Sequence, residues 1–195
     1  MKNMLRKLPL AIFSVALLLT AVNPLSAADY LPRDHKSFSD VVVGGDETYR
    51  NLHVVGRSVL IDKPILGDLL AAGANIDISG SVAEDVHLVG GSLNIKAVVG
   101  GDLILAGGTV SLAEEARVGG DLWAVGGTIN LNNFVAGEGK LAGGDIFING
   151  TIVGDLEVWS GERLIFGPQS RVSGPITHYG RAPAVIESGA QVGTI

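Results

Sequence analysis

Residues 101–112 read Gly-Asp-Leu-Ile-Leu-Ala-Gly-Gly-Thr-Val-Ser-Leu. A turn residue is followed by an inward leucine, a variable residue, a small or apolar residue and a glycine pair. Val110 and Leu112 then alternate with Thr109 and Ser111, the periodicity of a strand. The same phrase stands at residues 68–73, 85–90 and 121–126, and it recurs from Asn51 to the end of the chain. Self-similarity at so short a period is the signature of a stacked solenoid. In such a fold the long faces and the two ends matter more than any single pocket.

Turns of the solenoid (rungs) are read as starting at Asn51, Asp68, Asp85, Asp102, Asp121, Lys140, Asp155 and Pro175, with spacings of 17, 17, 17, 19, 19, 15 and 20 residues. Each rung is expected to hold three short strands. The first points Leu52, Leu69, Val86, Leu103, Leu122, Leu141 or Leu156 inward. The second points inward the pairs Val59/Ile61, Ile76/Ile78, Leu93/Ile95, Val110/Leu112, Ile129/Leu131, Ile146/Ile148 and Leu164/Phe166. The third points inward Ile65, Val82, Val99, Val118, Val135, Ile152 or Val172. Glycine, 28 residues in 195, is about twice its usual share, and is assigned to the corners for its access to positive φ. Pro183 falls in the last rung, where a strand interior would not accept it.

The expected fold is therefore all-β: a single right-handed parallel β-helix of about eight rungs of 15–20 residues. At about 4.8 Å per rung the rod is roughly 40 Å long. The uneven rung length favours the right hand, because left-handed helices keep a stricter six-residue period. Only 5% of residues are aromatic, which suits a narrow lumen filled by Val, Ile and Leu.

Residues 1–28 are read as a secretory signal: Lys2, Arg6 and Lys7 precede an apolar stretch over 8–22, and Ser26-Ala27-Ala28 offers cleavage before Asp29. An uncleaved membrane anchor is the alternative, although the stretch is short for a span. Residues 29–45 form an arm or cap, and residues 46–195 the solenoid. The absence of cysteine excludes a lipid-modified cysteine, disulfides and thiol chemistry. Without the three basic residues of the signal the chain keeps 11 basic and 20 acidic residues, a net charge of −9. That balance argues against nucleic acid and against simple binding to anionic lipid.

Candidate sites are weighed in turn. Asp68, Asp85, Asp102, Asp121 and Asp155 share one position. A row of calcium ligands is one reading; hydrogen bonding to local backbone at each corner is the favoured one. His53 and His87 share an outward position two rungs apart, about 9.6 Å, too far for one zinc ion. With His35 in the arm and His178 in the last rung, three converging histidines of the carbonic anhydrase kind are not expected. Ser92, Thr109, Ser111 and Thr128 read as solvated surface, and Asp77, Asn94, Ser111 and Asn130 as an outward polar row that stabilises the stack. No residue pattern asks for a cofactor, and no enzyme is expected.

The first face carries Leu70, Ala72, Val89, Ile104, Ala106, Trp123, Val125, Ala142 and Trp159 outward, an apolar stripe of the kind that marks a contact surface. Cover by the arm, through Tyr30, Leu31 and Phe38, is the other reading. At the far end Val192 and Ile195 mark a last edge, either a contact surface or a point of truncation. Leu70, Ile104, Trp123, Trp159, Val192 and Ile195 are thus the expected self-association residues. Trp123 and Trp159 also suit sugar stacking, which keeps a polysaccharide or envelope-protein binding module as the rival.

The recurring Gly-Asp-Leu-x-x-x-Gly-Gly-x-Val-x-Ile pattern, seen best over 101–112, resembles the bactofilins, the polymer-forming cytoskeletal proteins. The resemblance runs from about Asn51 to Ile195. It implies a right-handed triangular β-helix, nucleotide-independent end-to-end assembly and a scaffolding role at the cell envelope. Typical bactofilins are cytoplasmic; the export signal here is similar to that of exported bactofilin-like proteins and implies the periplasm or cell surface.

Overall fold

The computed structural model describes residues 29–30 (backbone only), 40–44 and 49–195, so the expected signal lies outside the described residues. Sixteen strands and no helix make up the described chain. In order they are β1 Asp29–Tyr30, β2 Val41–Val43, β3 Leu52–Ile61, β4 Leu69–Ile78, β5 Val86–Ile95, β6 Val98–Val99, β7 Leu103–Leu112, β8 Arg117–Val118, β9 Leu122–Leu131, β10 Phe134–Val135, β11 Gly139–Ile148, β12 Thr151–Ile152, β13 Leu156–Phe166, β14 Arg171–Val172, β15 Ile176–Gly180 and β16 Val185–Ile186. All pairings are parallel, and each coil pairs with the next. The large sheet runs β1-β3-β4-β5-β7-β9-β11-β13-β15, with β2 on β3 and β16 on β13; a smaller sheet runs β14-β12-β10-β8-β6. This is a parallel β-solenoid of about eight turns.

The three expected strands per coil are two. The first and second segments join into one ten-residue strand, eleven residues in β13. The corner between them survives as a slip in alternation. Leu69 and Ala71 are buried, then Ile76 and Ile78, an odd step that turns the chain without ending its hydrogen bonding. A second inward position, at Val54, Ala71, Leu88, Leu105, Ala124, Leu141 and Val158, completes five buried apolar residues in most coils.

The sixth coil starts at Glu138, two residues before the expected Lys140. Gly139 aligns with Leu122 and Leu156, while Leu141 aligns with Ala124 and Val158. The inward slot is held by a residue with no side chain, and neighbours fill it: Leu156 Cδ1 and Ile152 Cδ1 lie 3.0 and 3.3 Å from where a Cβ would be. The spacings thus become 17, 17, 17, 19, 17, 17 and 20 residues.

The corner glycines also have a different cause from the one expected. Among the described residues only Gly189 takes positive φ, at 104°. At most corners glycine answers close approach by the coil beneath: a Cβ at Gly90 would stand 2.5 Å from the Gly73 carbonyl oxygen.

At the start of the stack β1 pairs with Leu52 and His53, β2 with Val59, Leu60 and Ile61, and Tyr49 with Ile65. These pieces lay a partial turn under the first full coil. Arg57 clamps it through both carboxylate oxygens of Asp40, at 3.1 and 2.9 Å.

Candidate functional site

The Asp ladder has a definite job. The backbone N–H of Asp68 donates to Asn51 Oδ1, that of Asp85 to Asp68, Asp102 to Asp85, Asp121 to Asp102 and Glu138 to Asp121, at 2.8–3.1 Å. Each side chain therefore accepts from the coil above. The preceding glycine makes room: a Cβ at Gly120 would sit 2.1 Å from Asp102 Oδ1. For Asp68, Asp85, Asp102 and Asp121 this is the favoured backbone reading, made between coils rather than within one corner; Asp155, expected in the same row, makes no such bond among the described residues. Among the described residues no group of three or more His, Cys, Asp or Glu could hold a metal ion.

The outward columns fall as follows. His53, Leu70, His87, Ile104, Trp123, Lys140, Glu157 and Thr177 share one; Val55, Ala72, Val89, Ala106, Val125, Ala142, Trp159 and Tyr179 share the next. The two tryptophans thus occupy different columns and make no common platform. Lys140 Nζ lies 4.9 Å over the Trp123 ring, and Trp159 stacks on Tyr179 with centroids 5.3 Å apart. Leu70, Ile104, Trp123 and Trp159 are all half-buried. Of the arm residues expected to cover this face, Leu31 and Phe38 lie outside the described residues, while Tyr30 pairs at the edge of the first coil. The polar row is in register as expected, Asp77 beside Asn94, Ser111 and Asn130, with Asn94 Nδ2 donating to Asp77 Oδ1 at 2.8 Å.

The last two coils hold a cluster that sequence reasoning missed. His178 takes the inward column above Val158, and Ser160 takes the corner column otherwise held by glycine. Ser160 Oγ and His178 Nε2 are 2.7 Å apart. Burial pushes the imidazole below its usual pKa, so the neutral ring is favoured, and the serine hydroxyl satisfies one of its nitrogens. Beside them the Trp159 Nε1 is buried without a partner. Val192 packs partly buried against the core end, whereas Ile195 is exposed.

A second feature is a groove of about 420 Å³ on the corner that leads to the smaller sheet. Two coils have four-residue corners there, 113–116 and 167–170, each closed as a turn by Ala116 N–H to Ala113 O and Ser170 N–H to Gly167 O. The two coils between have two-residue corners, 132–133 and 149–150. The long corners are walls and the short ones a floor. Asn133 lies in that floor, 4% exposed, in a column that from the second coil onward otherwise carries Gly80, Ala97, Ala116, Gly150 and Ser170. The sequence signal was the 19-residue fourth coil and the Asn132-Asn133 pair.

Comparison with protein-family models, with curated proteins and with solved structures returns no match. The protein class is accordingly set by architecture: a parallel β-solenoid with a backbone-binding Asp ladder.

Proposed function

We propose that the chain is a non-enzymatic, exported structural scaffold whose rods join end to end at the cell envelope, as resemblance to the bactofilins implies. The observation that carries this reading is the last coil. Ile186 stands in the inward column directly above Phe166, yet it is 50% exposed, and its neighbour Val185 is 53% exposed. Strands β15 and β16 pair on one side only among the described residues. Apolar inward residues and open backbone edges want another layer above them. The partner that offers the same spacing and chemistry is a second copy of the chain. Repeated head-to-tail contacts make open filaments, whereas isologous pairing at one end stops at dimers. The apolar outward column from Val55 to Tyr179 adds a lateral surface through which rods associate.

The test is negative-stain electron microscopy of the exported chain over a concentration series without nucleotide. Filaments or sheets are expected. Ile186→Asp, or Val192→Asp with Ile195→Asp, should shorten or abolish them while the circular dichroism stays that of a β-protein. Short rods at every concentration would end the reading.

A further inference from the structure

The walled corner groove has features a scaffold does not require. Its floor places carboxamides from Asn132, Asn133 and Asn149 beside the Thr151 hydroxyl, with the Phe134 ring alongside. Asn149 Oδ1 accepts from the Gln169 backbone N–H at 3.0 Å, and its Nδ2 donates to Gln169 Oε1 at 3.3 Å, so the upper wall is tied to the floor. Asn133 Nδ2 makes only a long bond, 3.4 Å to the Phe134 carbonyl. Among the described residues Asn132, Thr151 and Gln169 Nε2 have no other side-chain partner.

The lining indicates what would lie there. Each carboxamide offers both a donor and an acceptor, which matches hydroxyl groups that do the same. The one cation, Arg117, donates to the Glu114 and Ala116 carbonyls at 3.1 and 3.3 Å, and its guanidinium lies over the Phe134 ring. Glu114 is the one acidic residue in the lining. An anionic ligand would have to share the guanidinium with two backbone carbonyls and the Phe134 ring, beside an acidic residue. A metal ion would want several carboxylates, and the lining holds one acidic residue among neutral amides. The walls stand three coils apart, about 14 Å centre to centre, leaving a floor two coils wide.

We propose that this groove binds a neutral oligosaccharide, a strand of a few sugar units lying across the rod corner between the turns at residues 113–116 and 167–170. Amides of the floor hydrogen-bond its hydroxyls, and the part of the Phe134 ring not covered by Arg117 meets an apolar sugar face. The site lies on the flank of the fourth to seventh coils, so it does not depend on rods joining at their ends.

The experiment is calorimetric titration of the full chain with cellotetraose and chitotetraose, with tetragalacturonate as the charged comparison. Saturable binding of at least one neutral probe is expected, at least tenfold tighter than the charged one. Asn133→Ala places in that column the residue that the two preceding coils carry there, at Ala97 and Ala116, and should weaken binding tenfold or more with the melting temperature held. Deleting Glu114 and Glu115 lowers one wall to the short corner of the coils beside it and should do the same, which decides the matter if Asn133→Ala fails to fold. Trp123→Ala, on the other face, should leave the affinity unchanged. No saturable binding of either neutral probe, preference for the charged one, or binding indifferent to both groove variants would overturn the proposal.

Discussion

The middle of the stack and its last coil use the same inward pattern with opposite results. Leu103 and Leu105 have neighbours above and below and are 0% exposed. Ile186 occupies an equivalent column and is half exposed, because nothing lies above it among the described residues. Burial in this fold is therefore conferred by adjacent coils and hardly at all by the coil itself. A residue's pattern says where it points; its place in the stack says how much that orientation stabilises. His178 fits the same rule: an inward polar residue is accommodated at the end of a column, where Ser160 can reach it.

The sharpest way to break this contrast is a matched pair of truncations. Leu105→Ala should cost about 2–5 kcal/mol, as for a buried leucine that leaves a cavity. Ile186→Ala should cost about 1 kcal/mol or less, since roughly half of its surface is already in water. Denaturant unfolding at a concentration where rods are dispersed distinguishes them; equal costs would mean that the end is as tightly closed as the middle.

The Asp ladder offers a second break. Gly120→Ala should destabilise by about 1–3 kcal/mol, because the new Cβ displaces the Asp102 carboxylate from the Asp121 N–H and leaves that donor wanting. Asp102→Ala in the same chain should recover part of the loss by removing the collision. Additive costs in the double mutant would show that the two do not meet.

A smaller effect should separate the end from the middle by pH. His178 has a lowered folded pKa, so the unfolded state binds more protons just below the ordinary value of 6.5. Stability associated with the neutral ring is present above that pH and is lost as pH falls towards the lowered value. The protection of Ile176–Gly180 against hydrogen exchange, corrected for the intrinsic rate at each pH, should fall over that range while that of Leu103–Leu112 does not. Protection falling equally at both would rule out a local cause. Least of all should Arg163→Ala matter: its 2.7 Å contact with Asp145 is on the exposed surface, where such pairs contribute little, and the melting temperature should stay within error.

The fold was legible because alternation of apolar residues survives in nearly every coil, and the second and third inward sets fall where their spacing placed them. Gly139 was not legible. An inward slot with no side chain carries no apolar signal, so Leu141 was taken for it and the coil shifted by two. Nor could periodicity distinguish three strands from two, because the corner keeps its hydrogen bonds while changing the phase of the side chains. The glycines were visible but their cause was not, since contact with the coil below depends on registers 17 to 19 residues away. The groove was half visible: the insertion that builds one wall lengthened a spacing to 19 residues, but only the stacked corners show that two long ones flank two short ones.

The ladder of carboxylates also has a direction in time. Asp68, Asp85, Asp102 and Asp121 each accept from the coil that follows in the chain, not from the one before. A chain that emerges with its N-terminus first, from a ribosome or a membrane pore, brings every new corner N–H to an acceptor already in place. The reverse order would bring each N–H into place before its acceptor had arrived, a cost for any donor removed from water. Growth of the rod is thus matched to the order in which a cell delivers the chain.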